Sequence, residues 1–125
     1  MLYNSRGYWL GFERSKGKRV WTDYGGKRQG NETAWETAVR ECKEEAGIDI
    51  SKCTIKRPPD FHSESNAKHV LFWVETDMQP IKGHHPNFLE HSQFTEWPEH
   101  ELRPRLLYDK GHSFKKTRVD LGFEK

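Results

Sequence analysis

The sequence predicts a single α/β domain, because segments typical of strands alternate with a segment typical of a helix along 125 residues. Tyr8–Glu13 and Val20–Asp23 are predicted strands joined by a short turn. Ala34–Ala46 lacks Gly and Pro and repeats its apolar residues at helical spacing. Lys68–Thr76 has the clearest strand pattern in the second half. Residues 1–125 are therefore expected to fold as one unit.

The helix over Ala34–Ala46 has its own start and stop signals. Thr33 is a suitable N-cap, and Glu36 three residues later completes a capping box. Gly47 follows the last helical residue and can adopt the left-handed conformation that ends helices. One side of the helix is predicted to face a core, and it carries Ala34, Trp35, Ala38, Val39, Cys42 and Ala46.

Weaker patterns fill the rest of the chain. Asp49–Lys56 and Phe94–Trp97 are predicted strands, and Arg57–Ala67 is predicted to be a loop or a hairpin tip because it is rich in Pro, Ser and Asn. Met78–Ser92 is polar and contains two prolines and a glycine, so we predict a long loop, and long loops in compact domains often carry function. Glu99–Tyr108 is predicted to form a second helix.

Composition favours a folded protein in a reducing compartment. The net charge is only +2, and five Trp with four Tyr supply apolar area for a core. The two cysteines, Cys42 and Cys53, do not indicate a disulfide framework, which favours a cytoplasmic location. No apolar run suits a membrane span. The near-neutral charge argues against a dedicated duplex-binding protein, and the basic segment 110–125 is predicted to be a poorly ordered tail.

Glu41, Glu44 and Glu45 are candidate site residues because they share one arc, about 100° wide, of the predicted helix. Carboxylates held that close repel one another unless a cation lies among them. Arg40 precedes Glu44 by four residues and can pair with it. Hard divalent cations that prefer oxygen ligands, Mg²⁺ or Mn²⁺, are the expected partners. The alternative is a solvated charged face, since 32% of the chain is charged.

The wider pattern resembles the Nudix box, G-x5-E-x7-R-E-U-x-E-E-x-G-U, in which U is usually aliphatic. Eight positions match at the correct spacing: Gly26, Glu32, Arg40, Glu41, Glu44, Glu45, Gly47 and Ile48. The departure is Cys42 at the first U position, where cysteine behaves as a small hydrophobe. Tyr8–Arg14 and Val20–Lys27 also look like the strands that precede the box in this family. The full pattern outweighs the alternative of a solvated charged face.

The resemblance implies the fold of the Nudix family, also called MutT-type: a mixed β-sheet sandwiched between helices, α/β/α. The family usually has a full N-terminal strand before the one that ends at Arg14. Here only Met1–Tyr3 precede the turn at Ser5–Gly7. We therefore expect a very short first strand that leaves a sheet edge, which a second copy of the chain would cover in a homodimer.

The resemblance also implies an enzyme, a nucleotide pyrophosphohydrolase that needs Mg²⁺ or, in its place, Mn²⁺. Nudix enzymes hydrolyse a phosphoanhydride in compounds that link a nucleoside diphosphate to another group; water attacks phosphorus and the anhydride oxygen leaves. The matched positions imply that Glu41 and Glu45 bind the metal together with a backbone carbonyl of Gly25 or Gly26. Glu44 is implied as a further ligand or as the proton acceptor.

Residues around these ligands receive supporting roles from the same resemblance. Arg40 would orient Glu41, and Glu32 would reach the metal through a water molecule. Arg14 matches a position that often contacts substrate phosphate, and Lys27 could do the same. The alternative for both is a solvated surface cation.

A further catalytic carboxylate is implied from a loop that precedes a late Trp. Glu90 is the candidate, although it precedes Trp97 by seven residues and the expected spacing of six falls on His91. Glu96 and Glu75 are the alternatives.

The expected partner is a small-molecule nucleotide. One alternative is an RNA-end enzyme that removes a cap or pyrophosphate, and another is a non-catalytic Nudix-like module that senses a nucleotide. The complete set of box carboxylates argues against the module, and the short basic tail argues against RNA. Some aromatic residues could stack on a base but are expected to serve the core or a hairpin: Trp21, Tyr24, His62 and Trp73. His84–His85 is expected to be an exposed loop pair, because adjacent histidines lack the spacing of a zinc site.

Overall fold

The computed structural model of the protein describes residues 1–15, 17–64, 67–97 and 112–123. The elements in these ranges are β1 (Leu2–Asn4), β2 (Gly7–Ser15), β3 (Lys18–Thr22), α1 (Ala34–Ala46), β4 (Asp60–Glu64), β5 (Ala67–Leu71), β6 (Val74–Glu75), β7 (Phe88–Phe94) and α2 (His112–Asp120). The predicted second helix over Glu99–Tyr108 lies outside the described residues.

The main sheet is mixed and is centred on β2. This strand pairs antiparallel with β1, β3 and β7, and β1 in turn pairs parallel with β6. The strands β4 and β5 form a separate antiparallel hairpin. Together with the two helices, this sheet confirms the predicted α/β class.

The helix α1 begins and ends where its local signals predict. The Thr33 hydroxyl accepts a hydrogen bond from the Glu36 backbone N–H, and the Glu36 carboxylate accepts one from the Thr33 N–H, so the capping box is complete. Gly47 has φ 74°, and its N–H donates to the Lys43 carbonyl. Only glycine adopts that backbone conformation without strain, so the helix stops there.

Two apolar clusters lie on opposite faces of the main sheet, because successive side chains of a strand point to opposite sides. The first cluster contains Met1, Tyr3, Tyr8, Leu10, Trp21, Leu71 and Trp73. The second contains Leu2, Cys42, Ala46, Ile48, Ile50 and Val74. The second joins the inward face of α1 to the sheet, while Leu121 and Phe123, just after α2, pack against the first. The sheet is thus covered on both faces.

The first strand is as short as expected, but it is not at an edge. Leu2 and Tyr3 pair with Val74 and Glu75 of β6, and Tyr3 also pairs with Tyr8 of β2. The neighbour that the sequence did not reveal is β6, which lies more than seventy residues away. The argument for a homodimer from an uncovered β1 edge is therefore wrong.

Several weaker predictions are also wrong in position. No strand forms over Asp49–Lys56. Arg57–Ala67 contains the strand β4, and it reaches the last pair of the β4–β5 hairpin, Glu64 with Ala67, which agrees with the predicted hairpin tip. The predicted strand over Lys68–Thr76 is divided, since β5 belongs to the hairpin and β6 to the main sheet. Most of β7 falls inside the predicted Met78–Ser92 loop, and β7 ends at Phe94, where the next strand was expected to begin.

The segment predicted to be a poorly ordered tail, 110–125, contains α2 instead. Thr117 and Arg118 on this helix are buried. The Thr117 hydroxyl donates to the Asp60 carboxylate at 3.1 Å, and the Arg118 guanidinium lies 4.5 Å from the centre of the Trp97 ring. These contacts attach α2 to the rest of the fold.

Candidate functional site

The candidate site forms where the turn at Gly25–Lys27 meets the C-terminal half of α1. Arg40 is its central group. Its guanidinium donates from Nε and Nη2 to the two carboxylate oxygens of Glu32, at 2.8 and 3.0 Å. Nη1 donates to Glu41 at 2.8 Å and lies 3.4 Å from Glu44, while Nη2 also donates to the Lys27 carbonyl at 3.1 Å. One side chain thus joins the turn to three of the box carboxylates.

Glu41 and Glu45 lie against the two glycines of the turn. The Gly25 N–H donates to Glu45 Oε1 at 2.7 Å, and Glu45 is only 7% exposed. A Cβ atom on Gly26 would stand 2.5 Å from Glu41 Oε1, closer than real contacts allow. A side chain at position 26 would therefore displace the Glu41 carboxylate from its place against the turn. The predicted proximity of these residues is observed.

Arg40 offsets part of the negative charge of the cluster. Hydrogen bonds from the Arg40 guanidinium hold the pKa of Glu32 well below its usual value, at about 2. The same contact, with Glu41 adding to it, raises the pKa of Arg40. The self-repulsion expected from the sequence is therefore reduced in part by Arg40. Glu44 is the least constrained member, with a side chain 53% exposed.

The donor set suits a hard divalent cation. The carboxylates of Glu41 and Glu45 lie against Gly25 and Gly26, and carboxylate oxygens are ligands that Mg²⁺ prefers. Within the described ranges, no three His, Cys, Asp or Glu side chains already converge in a metal-binding arrangement. A cation would thus draw on carboxylates that Arg40 and the Gly25 N–H now engage.

A tyrosine–histidine pair next to the turn was not identified from the sequence. Tyr24 directly precedes Gly25, and its hydroxyl lies 2.6 Å from His91 Nδ1. Burial is the main cause that lowers the pKa of His91 and raises that of Tyr24. The available signal was that His91, not Glu90, has the expected spacing of six residues before Trp97.

A register shift in β7 sets which residues face the site. Gly11 and Phe12 pair with His91 and Glu90, but the next residue of β2 pairs with Phe88. The extra residue is a β-bulge, which turns Phe88 to the same face as His91, where their rings stack 5.9 Å apart. Glu90 is exposed and lies opposite Phe12, on the other face of the strand from His91.

The remaining candidates are dispersed. Glu96 is exposed, and its backbone carbonyl accepts the Tyr8 hydroxyl. Glu75 is exposed and pairs with Lys56 at 2.8 Å. Arg14 is exposed at the end of β2, opposite Arg19, whereas Lys27 is exposed within the site turn. Among the three candidates Glu90, Glu96 and Glu75, none has a described contact with the box carboxylates.

The other residues weighed from sequence have structural contacts. Trp21 and Trp73 are buried in the first apolar cluster, as expected for core residues. The His84 ring bonds to the Lys43 carbonyl at 2.9 Å, so this exposed loop histidine contacts the last turn of α1. His85 packs edge-on against Phe88. His62 lies on β4.

A cavity of about 800 Å³ opens beside the site. It lies between the N-terminal half of α1 and the strands β1, β5 and β6, and the segment Asp23–Arg28 forms one wall. Cys42 forms part of its buried wall, where burial raises the pKa of the thiol to about 12 and keeps it neutral.

Comparison with known proteins agrees with this geometry. No curated protein matches the chain. Across the described residues, no helix has both the length and the apolar character needed to cross a membrane. The model of the NUDIX domain family matches residues 1–117, which is most of the chain, and Nudix domains hydrolyse nucleoside diphosphate derivatives. The protein therefore belongs to the Nudix family.

Proposed function

We propose that this protein hydrolyses a phosphoanhydride bond in a small nucleotide that links a nucleoside diphosphate to another group. The products are a nucleoside monophosphate, or phosphate or pyrophosphate, together with the remainder of the substrate. The observation that carries the proposal is the convergence of Glu41 and Glu45 on the Gly25–Gly26 turn. Family membership supports a pyrophosphohydrolase in general.

Glu41 and Glu45 would hold Mg²⁺, or Mn²⁺ in its place, with a backbone carbonyl of Gly25 or Gly26. Glu32 would reach the cation through water, whereas Glu44 would serve as the proton acceptor in place of a further ligand. When bound, such a cation neutralises phosphate charge and makes water a better nucleophile. These assignments rest on carboxylates already gathered at the turn.

The remaining steps are assigned to side chains of the chain itself. Glu44 accepts the proton of the attacking water, since it is the most exposed box carboxylate and its contact with Arg40 is the longest. Arg40 orients Glu41 through its 2.8 Å hydrogen bond. Lys27, exposed in the turn, attracts substrate phosphate. Arg14 as a second phosphate contact and Glu90 as a further carboxylate stay predictions.

The test is the loss of one carboxylate charge on α1. We expect Glu45→Gln to lower kcat more than tenfold and to weaken binding of Mn²⁺, followed by electron paramagnetic resonance. The amide oxygen can still accept the Gly25 N–H, so folding should persist. The substrates to screen with Mg²⁺ and Mn²⁺ are nucleoside triphosphates, dinucleoside polyphosphates, nucleotide sugars and capped RNA.

Glu36→Gln is the matched control, because it makes the same change on the same helix. Glutamine preserves the capping box with Thr33, so turnover and Mn²⁺ affinity should equal those of the wild type. Wild-type turnover in Glu45→Gln, or full wild-type turnover in excess EDTA, would refute the assignment.

Three broader expectations accompany the activity. A cytoplasmic location is proposed because Cys42 and Cys53 are both free. A small nucleotide is preferred to RNA because the net charge is only +2 and a polymer would favour a continuous basic stripe. A homodimer stays a prediction for light scattering, without the support of an exposed β1 edge.

A further inference from the structure

The cavity beside the site is partly open to solvent. Its volume of about 800 Å³ falls in the range of pockets that bind small molecules. Its walls come from α1, from strands of the main sheet and the hairpin, and from the segment Asp23–Arg28.

One ridge of α1 connects the cavity to the carboxylates. Ala34, Ala38, Glu41 and Glu45 fall within an arc of about 60° at 100° per residue. The two alanines line the cavity, whereas the two glutamates lie against the Gly25–Gly26 turn. Ala38 is three and seven residues from the glutamates, about 5 and 10 Å along the helix axis. A molecule of nucleotide size can span both regions.

The chemistry of the walls changes from the floor to the mouth. The buried floor is apolar and consists of Leu2, Cys42, Ile50, Leu71 and Val74. Half-buried Tyr24 and Phe72 add aromatic rings, and half-buried Asp23 and His69 add polar groups. At the mouth, Gly26, Lys27 and Arg28 are exposed.

This gradient matches the parts of a nucleotide. An aromatic base prefers apolar and ring contacts, and a carboxylate and an imidazole can hydrogen-bond base edges or sugar hydroxyls. Phosphates require cations and solvent access, which Lys27 and Arg28 supply.

We propose that the cavity under the N-terminal half of α1 binds the nucleoside end of the substrate. The base enters between α1 and β5, and the diphosphate passes Gly26–Arg28 to reach Glu41 and Glu45. This inference rests on the proposed function, since it assigns the specificity site of the same substrate. Small residues at 34 and 38 then set the space available to the base.

A graded filling series at position 38 tests the proposal: Ala38→Val, Ala38→Leu and Ala38→Phe. The probes are ATP, GTP, CTP and UTP, with inorganic tripolyphosphate as the ligand that lacks a nucleoside. Titration calorimetry with Ca²⁺ measures binding independently of turnover. Lys43→Leu is the matched control, since Lys43 is exposed on the same helix and does not line the cavity.

We expect at least one nucleotide to bind the wild type more tightly than tripolyphosphate does. Its affinity should fall progressively along the series, at least tenfold in Ala38→Phe, while tripolyphosphate affinity and Mn²⁺ affinity stay unchanged. Melting temperatures should stay level or rise, because the added groups fill a void, and Ala38→Val keeps the test valid if the larger variants fail to fold.

Two results would overturn the inference. In one, the position-38 variants lose affinity equally for the nucleotide and for tripolyphosphate; in the other, they lose affinity for neither. Failure of the wild type to bind any nucleotide more tightly than tripolyphosphate would overturn it as well. The proposed function fails separately, if the wild type hydrolyses none of the nucleotides screened.

Discussion

At the scale of single residues, Arg40 holds three of the box carboxylates, Glu32, Glu41 and Glu44, together in the absence of a cation. Its planar guanidinium contacts Glu32 with two nitrogens and Glu41 with the third. A lysine ammonium on a flexible stem would not reproduce this fork. Spacing predicted the contact with Glu44, four residues away, because both lie on one helix. It could not give the bond geometry with Glu32, which depends on the path of the turn.

The lowered pKa of Glu32 predicts a defined response to acid. The folded protein protonates Glu32 at about 2, against an ordinary value of 4.5. The ionised carboxylate therefore contributes stability above pH 4.5, and this contribution is lost as pH falls from 4.5 towards 2. Glu32→Gln removes the titrating group, so its melting temperature should lie below that of the wild type at neutral pH.

The difference between the two proteins should narrow across that acid window. Thermal melts of the wild type and Glu32→Gln at neutral pH, and at several pH values between 4.5 and about 2, measure this difference in melting temperature. Lys56 pairs with Glu75 elsewhere on the surface, so Glu75→Gln controls for the loss of any one carboxylate. A gap between wild type and Glu32→Gln that stays constant with pH would contradict the prediction.

At the scale of elements, a helix or strand can be predicted when the residues that determine it lie close together in the chain. Every signal for α1 lies between Thr33 and Gly47, and the helix has the predicted bounds. The strands depend on partners far away in the chain. Lys68–Thr76 has one continuous strand pattern, yet its two ends join different sheets. Local pattern predicts extended backbone there, but it carries no information about pairing.

The packing of β7 on β2 predicts a strong effect of a small substitution. A Cβ atom on Gly11 would stand 2.2 Å from Cδ1 of Phe88, which is only 2% exposed, and 3.0 Å from the Tyr24 ring. The buried Phe88 ring must shift to admit the methyl group, so Gly11→Ala should destabilise the protein by about 1–3 kcal/mol. Chemical denaturation measures the free energy of unfolding.

A double-mutant cycle with Phe88→Leu separates this clash from a backbone effect. Leucine removes part of the ring that the new methyl group would meet. The Gly11→Ala substitution should therefore cost less in the Phe88→Leu background. An equal cost in both backgrounds would show that the ring contact is not the cause.

At the scale of the whole molecule, Asp60 connects three parts of the fold. Its carboxylate oxygen accepts the Trp73 indole N–H at 3.0 Å and the Thr117 hydroxyl at 3.1 Å. The β4–β5 hairpin, the core of the main sheet and α2 therefore meet at one acceptor. The basic composition of the C-terminal segment predicted poor order. The structure differs because Thr117 and Arg118 have partners in distant segments of the chain. A local pattern contains no sign of them.

This junction predicts that α2 contributes to global stability. Thr117→Val keeps the shape of the fully buried side chain and removes the hydroxyl that bonds Asp60. The loss of that hydrogen bond in a buried setting should cost about 1–3 kcal/mol and lower the melting temperature. Thr54→Val, at an exposed position, makes the same chemical change as a control.

If α2 were a loosely attached tail, both variants would have the melting temperature of the wild type. Hydrogen exchange of the α2 amides would then be fast in all three proteins. Slow exchange in the wild type that quickens only in Thr117→Val is the result expected for a helix held by Asp60.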